Sequence, residues 1–242
     1  MTDPLKVLLL GRRDIGNRIA HYLIDKQPDV LCYFLTGEAW DSMSTREADP
    51  WAVMLDVFKP DIGVSVLWHK RIPAHVLSAV PRGFVNLHPS YLPYNRGEMP
   101  ATWSIIEGTP AGVTLHWMSE ELDAGPIIER VEVPKRPTDT AWTLYNRCLE
   151  VGESVFYHQW PRIKNGTAGS YPQPPLPAGV SPYHRRDSVQ AVDRIPVEHS
   201  ASMLYLLNLL RARTWSEHGG AYFMADGKKV YVRVQLEEAK DE

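Results

Sequence analysis

Cysteine is scarce in this chain: only Cys32 and Cys148 occur among 242 residues. They lie far apart in apolar stretches, which indicates two buried free thiols and a protein of the reducing cytoplasm rather than a disulfide framework. With 44% hydrophobic and 23% charged residues, the chain can build a sizeable core without covalent staples. The nine histidines show no ligand spacing with cysteines or carboxylates, so no metal site is predicted.

Long hydrophobic runs and a basic excess are also missing. The apolar residues near the N-terminus, Leu5 and 7–10, are too few for a signal peptide, and no run reaches the about 20 residues of a membrane helix. Lysine and arginine total 26 against 29 acidic residues, a formal charge of -3. Proteins that bind tRNA or DNA usually carry a basic excess. We therefore expect no membrane and no nucleic acid among the partners.

Short apolar runs alternate with amphipathic stretches through the first two-thirds of the chain. This alternation predicts an α/β fold with a mostly parallel, Rossmann-like sheet and helices on both faces. Asp49-Pro50 is typical of a helix start, because it combines a side-chain cap with proline at the first helical position. The predicted strands cover residues 6–10, 30–35, 62–67, 84–87, 113–118 and 127–133.

The composition changes after Asn165, and five prolines fall between Pro172 and Pro182. Proline continues neither helices nor central strands, so we predict a linker over 166–199 between a catalytic domain at 1–165 and a small unit at 200–242. That unit is predicted to hold one helix and two strands joined through Asp226-Gly227, a strong hairpin signal.

The segment from Phe84 to Ile128 carries the residues suited to chemistry. Asn86 and His88 are two apart at the end of a strand, so their side chains share one face. Ligands of open α/β sheets collect at the carboxyl ends of the strands. Asp123 lies in a loop between two predicted strands. If the strands at Asn86 and 113–118 are neighbours, that loop folds over the same edge.

An amide, an imidazole and a carboxylate together suit acyl transfer onto an amine. The Asn86 amide can donate to a developing oxyanion. Histidine side chains have an unperturbed pKa of about 6.5, which suits His88 to moving protons between the attacking and leaving nitrogens. Asp123 can orient His88, favour its charged form or relay a proton through water. His116 is a rival for the base, but its place in mid-strand favours a core or surface histidine.

Each motif is common alone, but the whole series in order resembles the folate-dependent formyltransferase family. The resemblance covers about the first two-thirds of the chain. Its motifs are Asn86-Leu87-His88-Pro89-Ser90, Leu92-Pro93-Tyr94-Asn95-Arg96-Gly97, Trp103-Ser104-Ile105-Ile106-Glu107-Gly108, Gly112-Val113-Thr114-Leu115-His116 and Asp123-Ala124-Gly125.

The resemblance implies the formyltransferase fold, N10-formyltetrahydrofolate as the donor, and a catalytic set of three residues. That set is Asn86, His88 and Asp123. It also implies a pterin pocket that holds the one-carbon donor, with Leu67, Trp68, Arg71, Ile72 and Leu122 as its candidate residues.

The segment 90–97 and the C-terminal hairpin are similar to the branch that formylates amino groups of nucleotide-linked dideoxysugars. This implies a homodimer and a dTDP-linked sugar such as 4-amino-4,6-dideoxyglucose, with a role in lipopolysaccharide O-antigen biosynthesis. The residues themselves do not distinguish an amine at C3 from one at C4. The candidate substrate-binding residues are Lys70 for the diphosphate, Tyr222 for stacking on the base, and Tyr94 and Arg96.

Three alternatives remain open on the sequence. Glycinamide ribonucleotide formyltransferase shares the catalytic set but resembles a shorter chain without a hairpin unit. Methionyl-tRNA formyltransferase resembles a chain with a larger, basic C-terminal domain. A nucleotide-binding sensor would use Gly11 and Gly16, although the Gly-x-Gly-x-x-Gly pattern is absent.

Overall fold

A computed structural model describes residues 3–43, 49–195, 197–198, 200–215 and 220–239. The strands of the largest sheet span Leu5–Gly11 (β1), Val30–Thr36 (β2), Ile62–Val66 (β3), Phe84–His88 (β4), Gly112–Trp117 (β6) and Ile127–Glu132 (β7). Their spatial order is β2-β1-β3-β4-β6-β7. The first four are parallel and β6 is antiparallel to β4, which confirms the mostly parallel α/β sheet.

The helices alternate with these strands as the periodicity predicts. They span Arg13–Asp25 (α1), Gly37–Met43 (α2), Pro50–Val53 (α3), Ala74–Ala79 (α4), Pro100–Ile106 (α5), Ala141–Lys164 (α6), Arg186–Asp193 (α7) and Met203–Ala212 (α8). A π-helical turn, Met54–Phe58, continues α3. The predicted start of α3 is confirmed, because the Asp49 carboxylate accepts from the Trp51 amide and Pro50 takes the first helical position. Among the described residues no helix is long and apolar enough to cross a membrane.

The chain divides into two compact units. The first consists of Met1–His88, Thr114–Glu129 and Gly152–Gln173, and the second of Pro89–Val113, Arg130–Val151 and Pro174–Glu242. This division is interleaved along the sequence, whereas the predicted boundaries at 165 and 199 are sequential. Those boundaries stay a prediction.

The core of the first unit lies against the parallel strands. Every residue of β3 and β4 is buried, as expected for strands covered on both faces. Gly63 of β3 lies under the Phe84 ring, where a Cβ atom would come within 1.9 Å of the ring carbons. Tryptophans extend this core, with the Trp40 and Trp51 ring centroids 4.5 Å apart. β3 and β4 are therefore closely packed within this core.

The start of the proline-rich segment is part of the first unit. Tyr171 exchanges two backbone hydrogen bonds with Ile127, at 2.8 and 3.0 Å, and so extends the sheet beyond β7. This extended backbone suits a proline-rich sequence. The pairing fixes the position of Gln173, two residues further along.

The second unit has its own core and two small sheets. One pairs Arg96–Gly97 (β5) with Tyr183–His184 (β8). The other is the antiparallel hairpin of Tyr222–Ala225 (β9) and Lys228–Tyr231 (β10), which confirms the predicted Asp-Gly turn. The Lys135 ammonium donates to the carbonyl oxygens of Ser104 and Thr109. Burial lowers the pKa of Lys135.

Candidate active site

Asn86 and His88 lie at the carboxyl end of β4, where the strand is parallel to β3 on one side and antiparallel to β6 on the other. The alternation of a strand turns both side chains to one face. Both are largely buried, with 8% and 7% of their surface exposed. The structure therefore confirms the predicted placement of the amide and the imidazole on one buried strand end.

Asp123 reaches the same place from the loop between β6 and β7. Its backbone is left-handed, with φ 51°, a conformation that aspartate tolerates better than most residues. Gly125 is required two residues later, since a Cβ atom there would lie 1.8 Å from the Trp117 carbonyl oxygen. The loop thus packs directly on the end of β6.

A second group holds this loop from the other side. Nε2 of Gln173 donates to the carbonyl oxygens of Asp123 at 2.7 Å and of Gly125 at 3.0 Å. Sequence reasoning missed Gln173, because it lies 50 residues after Asp123 in a segment predicted to be a linker. Its two hydrogen bonds define the position of the Asp123 backbone.

The three predicted catalytic side chains meet. Nδ2 of Asn86 donates to Oδ1 of Asp123 at 3.3 Å. Nε2 of His88 lies 3.6 Å from Oδ2 of the same carboxylate, slightly beyond hydrogen-bond distance. That nitrogen is buried and makes no hydrogen bond within the part of the chain that the structure describes. A buried polar atom is costly without a partner, so this one is suited to a bound reactant.

His116 also belongs to this cluster. It is only 1% exposed, so of the two predicted positions, core or surface, it takes the core one, but its neighbours are polar. Its Nε2 lies 3.2 Å from Nδ2 of Asn86 and 3.8 Å from Oδ1 of Asp123. Asn86 and His116 are opposite each other in the antiparallel pairing of β4 and β6. The sequence contains His116 but not this register, so its contact with Asn86 was not predicted.

The candidate folate-binding residues follow β3 or precede Asp123. Leu67 comes directly after β3 and has a left-handed backbone, with φ 55°. Trp68 packs edge-on against Trp40, with centroids 5.7 Å apart, and its indole nitrogen is buried without a hydrogen bond in the described structure. Ile72 lies in the core, Leu122 is half exposed and Arg71 is exposed. Their role in binding folate stays a prediction.

The candidate sugar-nucleotide residues fall in different units. Lys70, in the first unit, forms an ion pair with Asp41 at 2.9 Å. This ion pair contributes most to lowering the pKa of the Asp41 carboxyl. In the second unit, Arg96 lies in β5, and Tyr94 in the loop before it. The Tyr222 ring there is contacted by the Lys229 ammonium, 4.3 Å from its centroid. Their binding roles also stay predictions.

A family model described as "Formyl transferase" matches residues 14–159, the part of the chain that contains the whole buried cluster. The chain belongs to the formyl transferase family. It is therefore an enzyme of formyl transfer. A second model, described as "N-formyltransferase dimerization C-terminal domain", matches residues 189–238, which confirms the resemblance of the hairpin unit to N-formyltransferases.

Individual relatives agree with this assignment. The dTDP-4-amino-4,6-dideoxyglucose formyltransferase of Mycobacterium tuberculosis (strain ATCC 25618 / H37Rv) is 33% identical over 183 residues, which are 74% of this chain and 75% of that protein. The formyltransferase PseJ of Anoxybacillus kamchatkensis, crystallised with UDP-4,6-dideoxy-4-formamido-L-AltNAc and tetrahydrofolate, is 28% identical. The superposition covers 77% of this chain and 88% of the PseJ chain, with a TM-score of 0.62.

The similarity of fold to solved structures extends over nearly the whole chain. A 4-N formyltransferase from Francisella tularensis has a TM-score of 0.84 and covers 97% of this chain and 99% of its own, at 23% identity. Similarity at that identity concerns the fold alone. It confirms the formyltransferase fold, including the small C-terminal helix and hairpin.

Proposed function

We propose that this formyltransferase moves the formyl group of N10-formyltetrahydrofolate to the sugar amine of dTDP-4-amino-4,6-dideoxyglucose. The single observation that carries the chemistry is the buried convergence of Asn86, His88 and Asp123. The choice of acceptor is supported by the 33% identity with the mycobacterial enzyme over three-quarters of both chains. It is also supported by the C-terminal unit that this chain shares with N-formyltransferases.

In this proposal, the donor supplies an activated formyl carbon, and the residues of the chain manage charge and protons. Asn86 donates through Nδ2 to the oxygen on which negative charge develops, because a preorganised donor is worth more there than in water. The bond that forms joins the sugar nitrogen to the formyl carbon. The bond that breaks joins that carbon to N10 of the folate.

The proton balance of the step assigns roles to the other two residues. The attacking nitrogen loses a proton and the leaving N10 gains one, so the net step neither consumes nor releases protons. His88 is placed to carry that proton, since its Nε2 has no hydrogen bond within the described chain. Asp123 stabilises the imidazolium that forms, from 3.6 Å, because an opposite charge at that distance favours the charged ring.

Binding of the two substrates is assigned to the two sets of candidate residues. We propose that Leu67, Trp68, Arg71, Ile72 and Leu122 hold the folate. The sugar nucleotide is assigned to Lys70, Tyr94, Arg96 and Tyr222. The chain works in the cytoplasm as a homodimer in this proposal. The cytoplasm is supported by its two free cysteines, and the homodimer by its dimerization domain.

The test is a formyl-transfer assay with the purified full-length chain. We expect mass spectrometry to detect the formamido sugar when N10-formyltetrahydrofolate and dTDP-4-amino-4,6-dideoxyglucose are both present, and tetrahydrofolate to form in equal amount. The 3-amino isomer, glycinamide ribonucleotide and methionyl-tRNA serve as competing acceptors. Faster turnover with any of these three would assign the enzyme to that acceptor instead.

A further inference from the structure

His116 is the buried polar residue of the cluster to which the proposed mechanism gives no task. Its ring is contacted at both nitrogens. Nδ1 lies 2.9 Å from the carbonyl oxygen of Trp117, and Nε2 lies 3.2 Å from Nδ2 of Asn86. Nε2 also lies 3.8 Å from Oδ1 of Asp123, which is beyond hydrogen-bond distance. The first two contacts involve groups of known character, so they indicate where the proton lies in a neutral ring.

The first contact fixes the tautomer. A carbonyl oxygen only accepts hydrogen bonds, so Nδ1 of His116 must carry a proton to bond to Trp117. In the neutral ring the other nitrogen, Nε2, then has a lone pair and no proton. It can only accept.

The second contact fixes the amide. Asn86 faces His116 with its nitrogen, Nδ2, which donates to the Nε2 lone pair. The remaining Nδ2 proton is directed to Oδ1 of Asp123 at 3.3 Å, a long hydrogen bond. If the amide were turned over, its Oδ1 atom would face the His116 lone pair, and two acceptors would repel each other. The carboxylate of Asp123 would meet the same oxygen.

We propose that neutral His116 is a positioning residue that sets the direction of the Asn86 amide, so that a proton donor faces the reacting centre. This inference rests on the proposed function. An amide without such a partner could present its oxygen instead, and an oxygen would destabilise a developing oxyanion. The Asn86–Asp123 bond is the longer of the two and the easier to exchange for a bond to the reactant. The His116 contact keeps the amide nitrogen in place while that exchange happens.

Two substitutions separate positioning from packing. His116→Gln can place an amide oxygen where Nε2 was, which keeps an acceptor for Asn86. His116→Leu fills similar space without an acceptor. We expect His116→Leu to lower kcat about 10- to 100-fold, part of the effect of losing an oxyanion donor. The KM values should change by less than about threefold, and His116→Gln should keep kcat within about threefold of the unmodified enzyme.

Leu115→Ala is the control for general damage to β6. Its side chain is fully buried and lies on the opposite face of the strand. We expect it to lower the melting temperature, since it leaves a cavity in the core, while kcat stays within about threefold of normal. The proposal would be overturned if kcat of Leu115→Ala, or kcat of His116→Gln, were as low as kcat of His116→Leu.

A measurement without substrates distinguishes this inference from the proposed function. Long-range 1H–15N NMR correlations of the ring reveal which histidine nitrogen carries the proton. We expect His116 to show a protonated Nδ1 and a bare Nε2 at neutral pH, whatever acceptor the enzyme uses. A proton on Nε2 would refute the inference even if sugar formylation is observed. A bare Nε2 leaves it standing even if another amine proves to be the acceptor.

Discussion

Nε2 of His88 lies 3.6 Å from Oδ2 of Asp123, close enough for electrostatic attraction but slightly beyond a hydrogen bond. The remaining gap is a few tenths of an ångström. Catalytic hydrogen bonds are often long in the free enzyme and shorten only when reactants bind. The Asp123 loop is held by the Gln173 side chain and by its packing on β6, so a small change in either side chain can close the distance.

The first prediction concerns these two residues. His88→Ala removes the proton carrier and Asp123→Asn removes the charge that stabilises it, so each should lower kcat about 100- to 10,000-fold, the range for general acid–base catalysis. The melting temperature and circular dichroism should stay near normal. The matched control is His158→Ala, an exposed histidine of α6, which should be fully active. Near-normal rates in either catalytic variant would remove that residue from the mechanism.

The second prediction concerns Gln173. Gln173→Ala deletes the donor to the carbonyl oxygens of Asp123 and Gly125, and each lost hydrogen bond costs about 1 kcal/mol. We expect kcat/KM of Gln173→Ala to fall about tenfold because Asp123 loses its fixed position. The loss of kcat/KM should be larger in Gln173→Glu, because its carboxylate repels both carbonyl oxygens. Steady-state kinetics measure the effect. Exposed Gln190→Ala is the control, and full activity in Gln173→Glu would contradict the positioning role.

These residues show how far the sequence could predict the site. Asn86 and His88 were placed together because two residues of spacing at a strand end put both on one face. A loop has no periodicity, so Asp123 could be associated with them only if the strands at Asn86 and 113–118 are neighbours, or through the motif series. The contact of Asn86 with His116 depends on the register of β4 and β6, which flanking turns and packing decide.

Gln173 was beyond sequence reasoning for a different reason. Proline-rich segments predict extended chain, and extended chain can either be solvated or pair with a sheet edge. Tyr171 pairs with Ile127, and this tertiary contact alone brings Gln173 to the loop. The burial of Ile72, six residues after the end of β3, also depends on tertiary packing and could not be deduced from its sequence neighbours.

The third prediction uses the close packing of Gly125. Gly125→Ala would place its Cβ atom 1.8 Å from the Trp117 carbonyl oxygen, so the Asp123 loop must move away from β6. Overpacking of this kind costs about 1–3 kcal/mol, and we expect both a lower melting temperature and a large loss of kcat. Gly169→Ala is the control, because no atom lies within 4 Å of its added Cβ. Unchanged kcat in Gly125→Ala would show that the loop position is not critical.

The fourth prediction concerns thiol chemistry. Cys148 is buried as predicted, whereas Cys32 is only partly buried. Their burial raises the pKa of each thiol to about 12, so both are neutral at pH 8. Since thiolate is the nucleophile, a disulfide reagent such as DTNB should titrate neither in the folded protein and both in denaturant. Because the pKa of each thiol is higher in the folded than in the unfolded state, the protonated thiols stabilise the fold. This contribution to the free energy of unfolding is complete below pH about 8.5 and is lost towards pH 12. Rapid reaction at pH 8 without unfolding would contradict this.

The last prediction concerns the dimer. One side of α8 exposes apolar side chains to solvent, with Met203 83%, Leu204 67% and Leu207 43% exposed. Contiguous exposed apolar surface marks interaction sites, and this helix lies within the dimerization domain. We therefore expect a second copy of the chain to cover this face.

Leu204→Glu with Leu207→Glu should shift the protein from dimer to monomer in analytical ultracentrifugation. Burying two carboxylates in an apolar interface is strongly unfavourable, whereas both are solvated in a monomer. The fold of the first unit should persist, as judged by near-normal circular dichroism. Val57→Glu is the matched control, because Val57 is 78% exposed and lies outside that domain, so this variant should remain dimeric. A dimer of unchanged affinity in the double variant would place the interface elsewhere, and the β9–β10 hairpin would then be the next surface to substitute.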